Sequence, residues 1–269
     1  MSQPIANARM YSATPVLREH WKTLLGWILR QAGLDWKVID YDPPAPLSSL
    51  WARDDLGIVL MCGLVFAHER PRVQPIAAPI PNPQRYGGKA TYTTDIVVRA
   101  DAAAQSLADT FGGTVGYTVA DSLSGAIALA EHLAPMRAAA GRPLYREVVG
   151  GLIHARGVIQ ALIDQRIDVG PLDSYYHDLL HASDPQFARQ VRTVASTEVR
   201  PLPLFVSTLD LGPSELSRLR EAFRRSLQAR ELTAARQALL LDGFAFPDSR
   251  EYDLMLNLPR HLSDPNEAF

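Results

Sequence analysis

The sequence holds one cysteine, Cys62, among 269 residues. A single thiol excludes an internal disulfide framework and a cysteine-rich zinc site. No run of about 18 apolar residues occurs, so no membrane-spanning helix and no membrane insertion are expected. A basic excess is also missing: 27 Lys and Arg stand against 29 Asp and Glu, a formal net charge of -2. Nucleic-acid binders usually carry such an excess, so no nucleic-acid partner is expected. Any anion site must then be local, built from backbone amides and a few side chains. Lysine is scarce, at positions 22, 37 and 89. The histidines show no metal spacing beyond His177 and His181, four apart on an expected helix with no acidic third ligand placed by the local sequence. The opening MSQPIANARMYSATP has no apolar stretch of signal-peptide length. The expected compartment is therefore the cytoplasm, or the periplasm if a leader is missing from the chain.

What is present is the composition of a soluble globular protein, 47% hydrophobic and 21% charged. The length suits two modest domains. Residues 6–12 read as a short buried strand. Pro15 opens a helix to about Ala32, with Leu17, Trp21, Leu24, Leu25 and Ile28 on one face and Gly33 closing it. WKVIDYD reads as a strand, Leu47 to Ala52 as a short helix, and LGIVLMCG as a buried parallel strand. The proline-rich stretch that follows reads as extended chain. TYTTDIVVR is a strong strand, after which a second α/β cycle begins. Its expected strands are GGTVGYT, YREVVGG and IDVGPLD, each followed by a helix. Ser214 is expected to cap a helix to about Ala229, and Glu231 to Leu241 a further helix. Two α/β cycles predict two lobes, 1–91 with 205–269 and 92–204. Ligands of such sheets sit beyond the strands' carboxyl ends, which would line a cleft between lobes.

The segment Asp121-Ser122-Leu123-Ser124-Gly125 lies between a strand and an amphipathic helix. A helix N-terminus offers unpaired N–H groups and partial positive charge, so this turn suits a phosphate, phosphonate or carboxylate. Two hydroxyls can face one oxygen cluster, and Gly125 permits close approach. The same residues also suit a plain helix cap. His154 opens the next helix, where it can donate to a ligand oxygen or merely face solvent. Asp173 follows IDVGPL, placed for a ligand amine or hydroxyl, or again for a cap. Tyr11 could stack on a ligand or pack at the core edge. Cys62, at a strand end, suits packing more than nucleophilic chemistry. Tyr92 and Thr93, at the crossover, could bind ligand or satisfy a hinge strand.

Taken in order, Met10-Tyr11, Cys62-Gly63, TYTTDIVVRAD, GYTVADSLSGAIAL, His154 and IDVGPLDSYYHDLL resemble the phosphate/phosphonate substrate-binding family of ABC transporters, the PhnD-like branch of the type 2 periplasmic-binding-protein fold. The resemblance spans about residues 6 to 245. It implies a two-lobed α/β protein that closes by a hinge on a small anionic ligand, with an ABC transporter permease as partner and no cofactor. It also implies that Ser122 and Ser124 hold the anion, that His154 and Tyr11 touch the ligand, and that Asp173 meets a ligand amino group. Two departures stand out. Leu123 occupies a position that often carries a hydroxyl, and PLPLF after Arg200 lacks a frequent aspartate. Rival expectations are an enzyme of the same fold resembling the pyrimidine-precursor synthases of thiamine biosynthesis, which would need a lysine for pyridoxal phosphate, and a ligand-sensing module. A Ser-His-Asp hydrolase is disfavoured, because no G-x-S-x-G elbow surrounds either serine.

Overall fold

The computed structural model describes residues 3–69 and 72–269. The chain divides into two compact units, 1–91 with 201–257 and 92–200 with 258–269. The final residues thus go with the second unit, whereas the sequence pattern assigns all of 205–269 to the first.

In the first unit, β1 (Ile5–Asn7) stops sooner than its apolar run suggests, because Arg9–Tyr11 winds into one 3-10 turn. Helix α1 (Pro15–Ala32) matches its sequence signals, with Pro15 in the first turn and Gly33 ending it at φ 68°; the structure adds Thr14 as its N-cap. Its predicted face is its buried face, with Leu17, Trp21, Leu24, Leu25 and Ile28 all at most 1% exposed. Then come β2 (Lys37–Val38), α2 (Leu47–Trp51), β3 (Leu56–Met61), α3 (Gly63–Glu69) and β4 (Gln74–Pro81). Segments β5 (Thr91–Tyr92) and, later, β11 (Arg200–Pro201) are the crossovers.

The second unit begins with β6 (Thr94–Arg99) and β7 (Thr114–Gly116). A π turn, Leu123–Ile127, leads into α4 (Ala128–Ala140). There follow β8 (Glu147–Val149), α5 (Ala155–Ile163), β9 (Val169–Asp173), α6 (Ser174–Ser183), α7 (Pro185–Ala188) and β10 (Val191–Ser196). Its sheet has the order β10-β6-β9-β7-β8. β7 runs parallel to both β8 and β9, whereas β6 is antiparallel to β9 and β10. The carboxyl ends of β7, β8, β9 and β10 therefore share one end of the sheet with the start of β6.

The chain returns to the first unit through β12 (Leu204–Ser207), α8 (Pro213–Ser226), α9 (Thr233–Ala238), β13 (Leu241–Ala245) and a 3-10 segment, Ser249–Asn257. Its sheet is mixed, in the order β13-β4-β12-β3-β1-β2. β3 is parallel to β1 but antiparallel to β12, so the all-parallel expectation for this buried run is corrected. The sequence expectations for two later elements also change. Gly212, not Ser214, is the N-cap of α8, because Pro213 takes the first helical position. The helix expected to reach Leu241 ends at Ala238, and Leu241–Ala245 pairs with β4 instead. A chain of rings fills this core: Trp21 to Phe205 at 5.9 Å, Phe205 to Phe223 at 5.4 Å, and Phe223 to Phe244 at 4.8 Å. The last element, α10 (Pro265–Ala268), lies in the second unit.

Two buried tyrosines give measurable consequences. Tyr252, 1% exposed, donates to Leu202 O at 2.7 Å and stacks edge-on with Phe66. Tyr252→Phe strips that carbonyl of its donor and should cost about 1–2 kcal/mol in urea unfolding. Tyr145, in the second unit, shares a hydrogen bond with Thr110 Oγ1, and burial pushes its phenol from 10.0 up to about 12. A raised phenol contributes stability below pH 10 that is lost as pH climbs towards 12. At about 1.4 kcal/mol per pH unit this amounts to roughly 3 kcal/mol. Alkaline titration of the unfolding midpoint should therefore fall more steeply for the parent than for Tyr145→Phe.

Candidate functional site

The candidate site is the end of the second sheet where β7, β8 and β9 each feed a helix. After β7 the chain runs through Tyr117 and Thr118 to Ser122. The Ser122 side chain caps the next helix, accepting from Gly125 N–H at 3.0 Å. The first turn is wide: Ile127 N–H reaches back five residues to Ser122 O at 3.1 Å. Such π turns recur at functional sites because they re-aim first-turn groups. The N–H groups of Leu123 and Ser124 precede the first intrahelical bond and point out of the helix end. Leu123 itself is fully buried, so its contribution here is its amide, not its side chain. Ser124 is half-buried.

Next to this turn lies the one that follows β8. Tyr117 N–H donates to Val149 O at 3.0 Å, Leu152 N–H to Tyr117 O, and Ile153 N–H to Thr118 O, both at 3.3 Å. His154 caps α5: its Nδ1 accepts from Gly157 N–H at 3.0 Å. An Nδ1 that accepts carries no proton, so in the neutral ring the proton sits on Nε2, which is a donor. Two helix N-termini thus stand side by side, each adding positive potential.

A second group sits at the neighbouring strand end. Asp173 caps α6, its Oδ1 accepting from Tyr175 and Tyr176 N–H at 2.9 and 3.0 Å. Thr93 is tied to the same helix start, donating its N–H to Ser174 Oγ at 3.1 Å and accepting from Ser174 N–H at 3.0 Å. Tyr92, beside it, is 3% exposed. The π turn packs on β9, so the two groups share one end of the sheet. The structure therefore brings together Ser122, Ser124, Gly125 and His154, with Thr93 and Asp173 nearby. Tyr11 and Cys62 lie in the first unit, 1% and 5% exposed, and Trp21 Nε1–H donates to Tyr11 O.

The reason expected for Gly125 changes. The space beside its Cα is filled by protein: a Cβ there would collide with Thr118 Oγ1 and stand 2.7 Å from Ser122 Oγ. Thr118 also donates its backbone N–H to Gly125 O at 3.0 Å. Ile153, 44% exposed, holds φ at 66°, where a β-branched residue is strained. No sequence signal marked it, although Gly150-Gly151 just before it announced an unusual turn. The local motifs do not single out Asp95 either. It is 1% exposed inside β6, bonded to His177 Nδ1 at 3.0 Å and to Ser196 Oγ at 3.1 Å. An acid within the apolar run TTDIVV demands a buried partner, and that was the available signal. His177, weighed in the sequence as half of a metal pair, faces Asp95 instead; its ring lies 4.6 Å from that of His181. Among the described residues no three His, Cys, Asp or Glu side chains converge as metal ligands.

Two substitutions should move stability in opposite directions. Gly125→Ala forces Thr118 away from the turn and should cost about 1–3 kcal/mol. Ile153→Asn, better suited to positive φ, should gain about 0.5–1 kcal/mol. Urea unfolding midpoints of both variants check the pair; a Gly125→Ala protein as stable as the parent would refute the close-approach account.

Comparison with known proteins agrees with this architecture. A family model described as ABC transporter, phosphonate, periplasmic substrate-binding protein matches residues 11–252. The binding-protein component of an ABC phosphonate transporter from Pseudomonas aeruginosa is similar at 17% identity, with a TM-score of 0.75 over 93% of this chain and 84% of that one. PhnD1 from Prochlorococcus marinus, solved in complex with methylphosphonate, is 13% identical with a TM-score of 0.76 over 94% and 95%. A Xanthomonas citri protein solved with chloride ion is 19% identical with a TM-score of 0.68 over 95% and 98%. The search of curated proteins gives no match. The neighbours have the two-lobed fold of periplasmic binding proteins.

Proposed function

Because the chain belongs to the phosphonate periplasmic substrate-binding protein family of ABC transporters, we propose that it binds a small phosphonate, phosphate ester or related oxyanion at the paired helix N-termini after β7 and β8. The family's role is solute binding for transport, and its described compartment is the periplasm. The cytoplasmic expectation finds no support there. Among the described residues no helix is long and apolar enough to cross a membrane. We assign this protein a periplasmic working place and an ABC-type permease as its partner.

The observation that carries the ligand class is the first turn from Ser122 to Gly125. An oxyanion placed there meets the amides of Leu123 and Ser124 and the hydroxyls of Ser122 and Ser124. Capping does not compete with this role. Ser122 uses an acceptor lone pair on Gly125 N–H, and its O–H remains a donor. His154, which caps the helix after β8, is assigned as a further donor through Nε2–H. Asp173 and Thr93 are assigned to the remainder of the ligand, where an acid would attract an amine and repel a second anion. The assignment is confined to the second unit.

An enzymatic reading draws no support from the chain. Lys22, Lys37 and Lys89 all fall in the first unit. Lys22 is paired with Asp40 and Glu19, while Lys37 and Lys89 are exposed. Ser122, His154 and Asp173 each direct an acceptor at their own helix, which is capping geometry.

Isothermal titration with methylphosphonate, inorganic phosphate and acetate tests the proposal. Binding of a phosphorus oxyanion is expected, weakened about tenfold or more in Ser124→Ala, the size of one hydrogen bond to a charged group. Absence of oxyanion binding, or equal affinity in the variant, would remove the turn as the site.

A further inference from the structure

The anion turn is backed by a part of the chain that the reading so far leaves unused. Residues 258–269 return to the second unit and cross behind it. Leu262 N–H donates to Ala120 O at 2.9 Å. Among the described residues this is the only hydrogen bond tying residues 119–121 to a distant part of the chain; the other is local, Ser122 N–H to Val119 O at 3.1 Å. The Phe269 ring lies 5.8 Å from that of Tyr117, at 33°, and Phe269 is 0% exposed. Its carbonyl accepts from Leu144 N–H at 2.8 Å, and Arg137 Nη1 donates to Glu267 O. Asp264 caps α10 between these anchors, accepting from Asn266 N–H at 2.9 Å.

We propose that residues 258–269 are a positioning strap for the anion turn, with Phe269 and Leu262 as its two points of purchase. This rests on the proposed oxyanion site and says how that site is held in shape. The geometry supplies the reason. Tyr117 makes two of the three hydrogen bonds that join the β7 and β8 turns, Thr118 making the third, so fixing its ring restrains both helix starts. Ala120 lies two residues before Ser122, so anchoring its carbonyl sets where the first-turn amides aim. Segment 119–121 is otherwise an exposed link, with Val119 41% exposed. Without the strap the amides remain present but no longer converge, and a preorganised site becomes one that must be ordered on binding.

The decisive experiment uses the full chain. In ligand-free Phe269→Ala, hydrogen exchange at the amides of residues 117–125 should accelerate about tenfold or more relative to α1 amides. Phe269→Leu, which keeps an apolar filler, should restore most of the protection. Titration with methylphosphonate and inorganic phosphate should show Phe269→Ala about tenfold weaker, equivalent to ~1.4 kcal/mol, with Phe269→Leu recovering most of the affinity; losing a fully buried ring also lowers the melting temperature, so exchange at 117–125 is read relative to α1. Uniform acceleration across both units would mean a general loss of stability and would overturn the inference. Unchanged exchange at 117–125 would overturn it as well. If the parent binds neither anion, the oxyanion reading fails, and the exchange comparison alone still decides whether the strap holds the turn.

Discussion

The site depends on β7 lying parallel between β8 and β9. Parallel neighbours deliver three successive chain segments to the same edge, and each then enters a helix. Every helix start exposes N–H groups that its own backbone cannot pair. The three caps, Ser122, His154 and Asp173, are the local answer to that deficit. None answers it fully, because one side chain satisfies only one or two of several donors. The donors left over are what an anion can use. Reversing one strand would send its helix start to the far end and leave two of the three at this edge.

This view joins two readings that the sequence keeps apart. A serine in the turn can be a cap or a ligand contact, and local sequence does not choose between them. The structure shows the cap, and the proposed ligand contact is compatible with it. Capping fixes Ser122 so that its hydroxyl proton is the part left to donate, and capping fixes the tautomer of His154 so that Nε2 is its donor. A capped helix start is thus the organised form of the site. The constraint shows in the backbone as well. Gly125 admits Thr118, Ile153 accepts an unfavourable φ, and the turn widens to a π bond to let the two segments meet.

Much of this was legible in the residues. The 3.6-residue stripe of α1, with Pro15 and Gly33 at its ends, left little freedom. The serine turn and its strand were marked by composition, and the order of motifs pointed to the two-lobed fold. What escaped notice was non-local. Leu241–Ala245 follows an apolar helical stretch without a glycine stop; Leu240 ends it at φ 49°, and only pairing with β4 makes the segment a strand. α3 begins at Gly63, a residue that reads as a strand's end. Asp95 is held by His177 and Ser196, partners that lie 82 and 101 residues away in the chain. The course of 258–269 depends on a contact between Phe269 and Tyr117, residues far apart in the chain, and no periodicity encodes it.

The departure at Leu123 is resolved by the same reasoning. The sequence puts leucine where a hydroxyl is frequent, which would weaken a site made of side chains. In the structure Leu123 turns its side chain into the core and presents its backbone N–H at the helix start. In the proposed site position 123 contributes only its amide, so a hydroxyl there is not required, provided that the backbone keeps its path. That path is held by Gly125 against Thr118, by the paired turns of β7 and β8, and by Leu262 on Ala120. Of these supports, Gly125 is the one where side-chain identity is fixed by space, because a Cβ there meets Thr118. The similarity of backbones at TM-scores near 0.75, with 13% to 17% identity, is what a fold preserved through its backbone would look like.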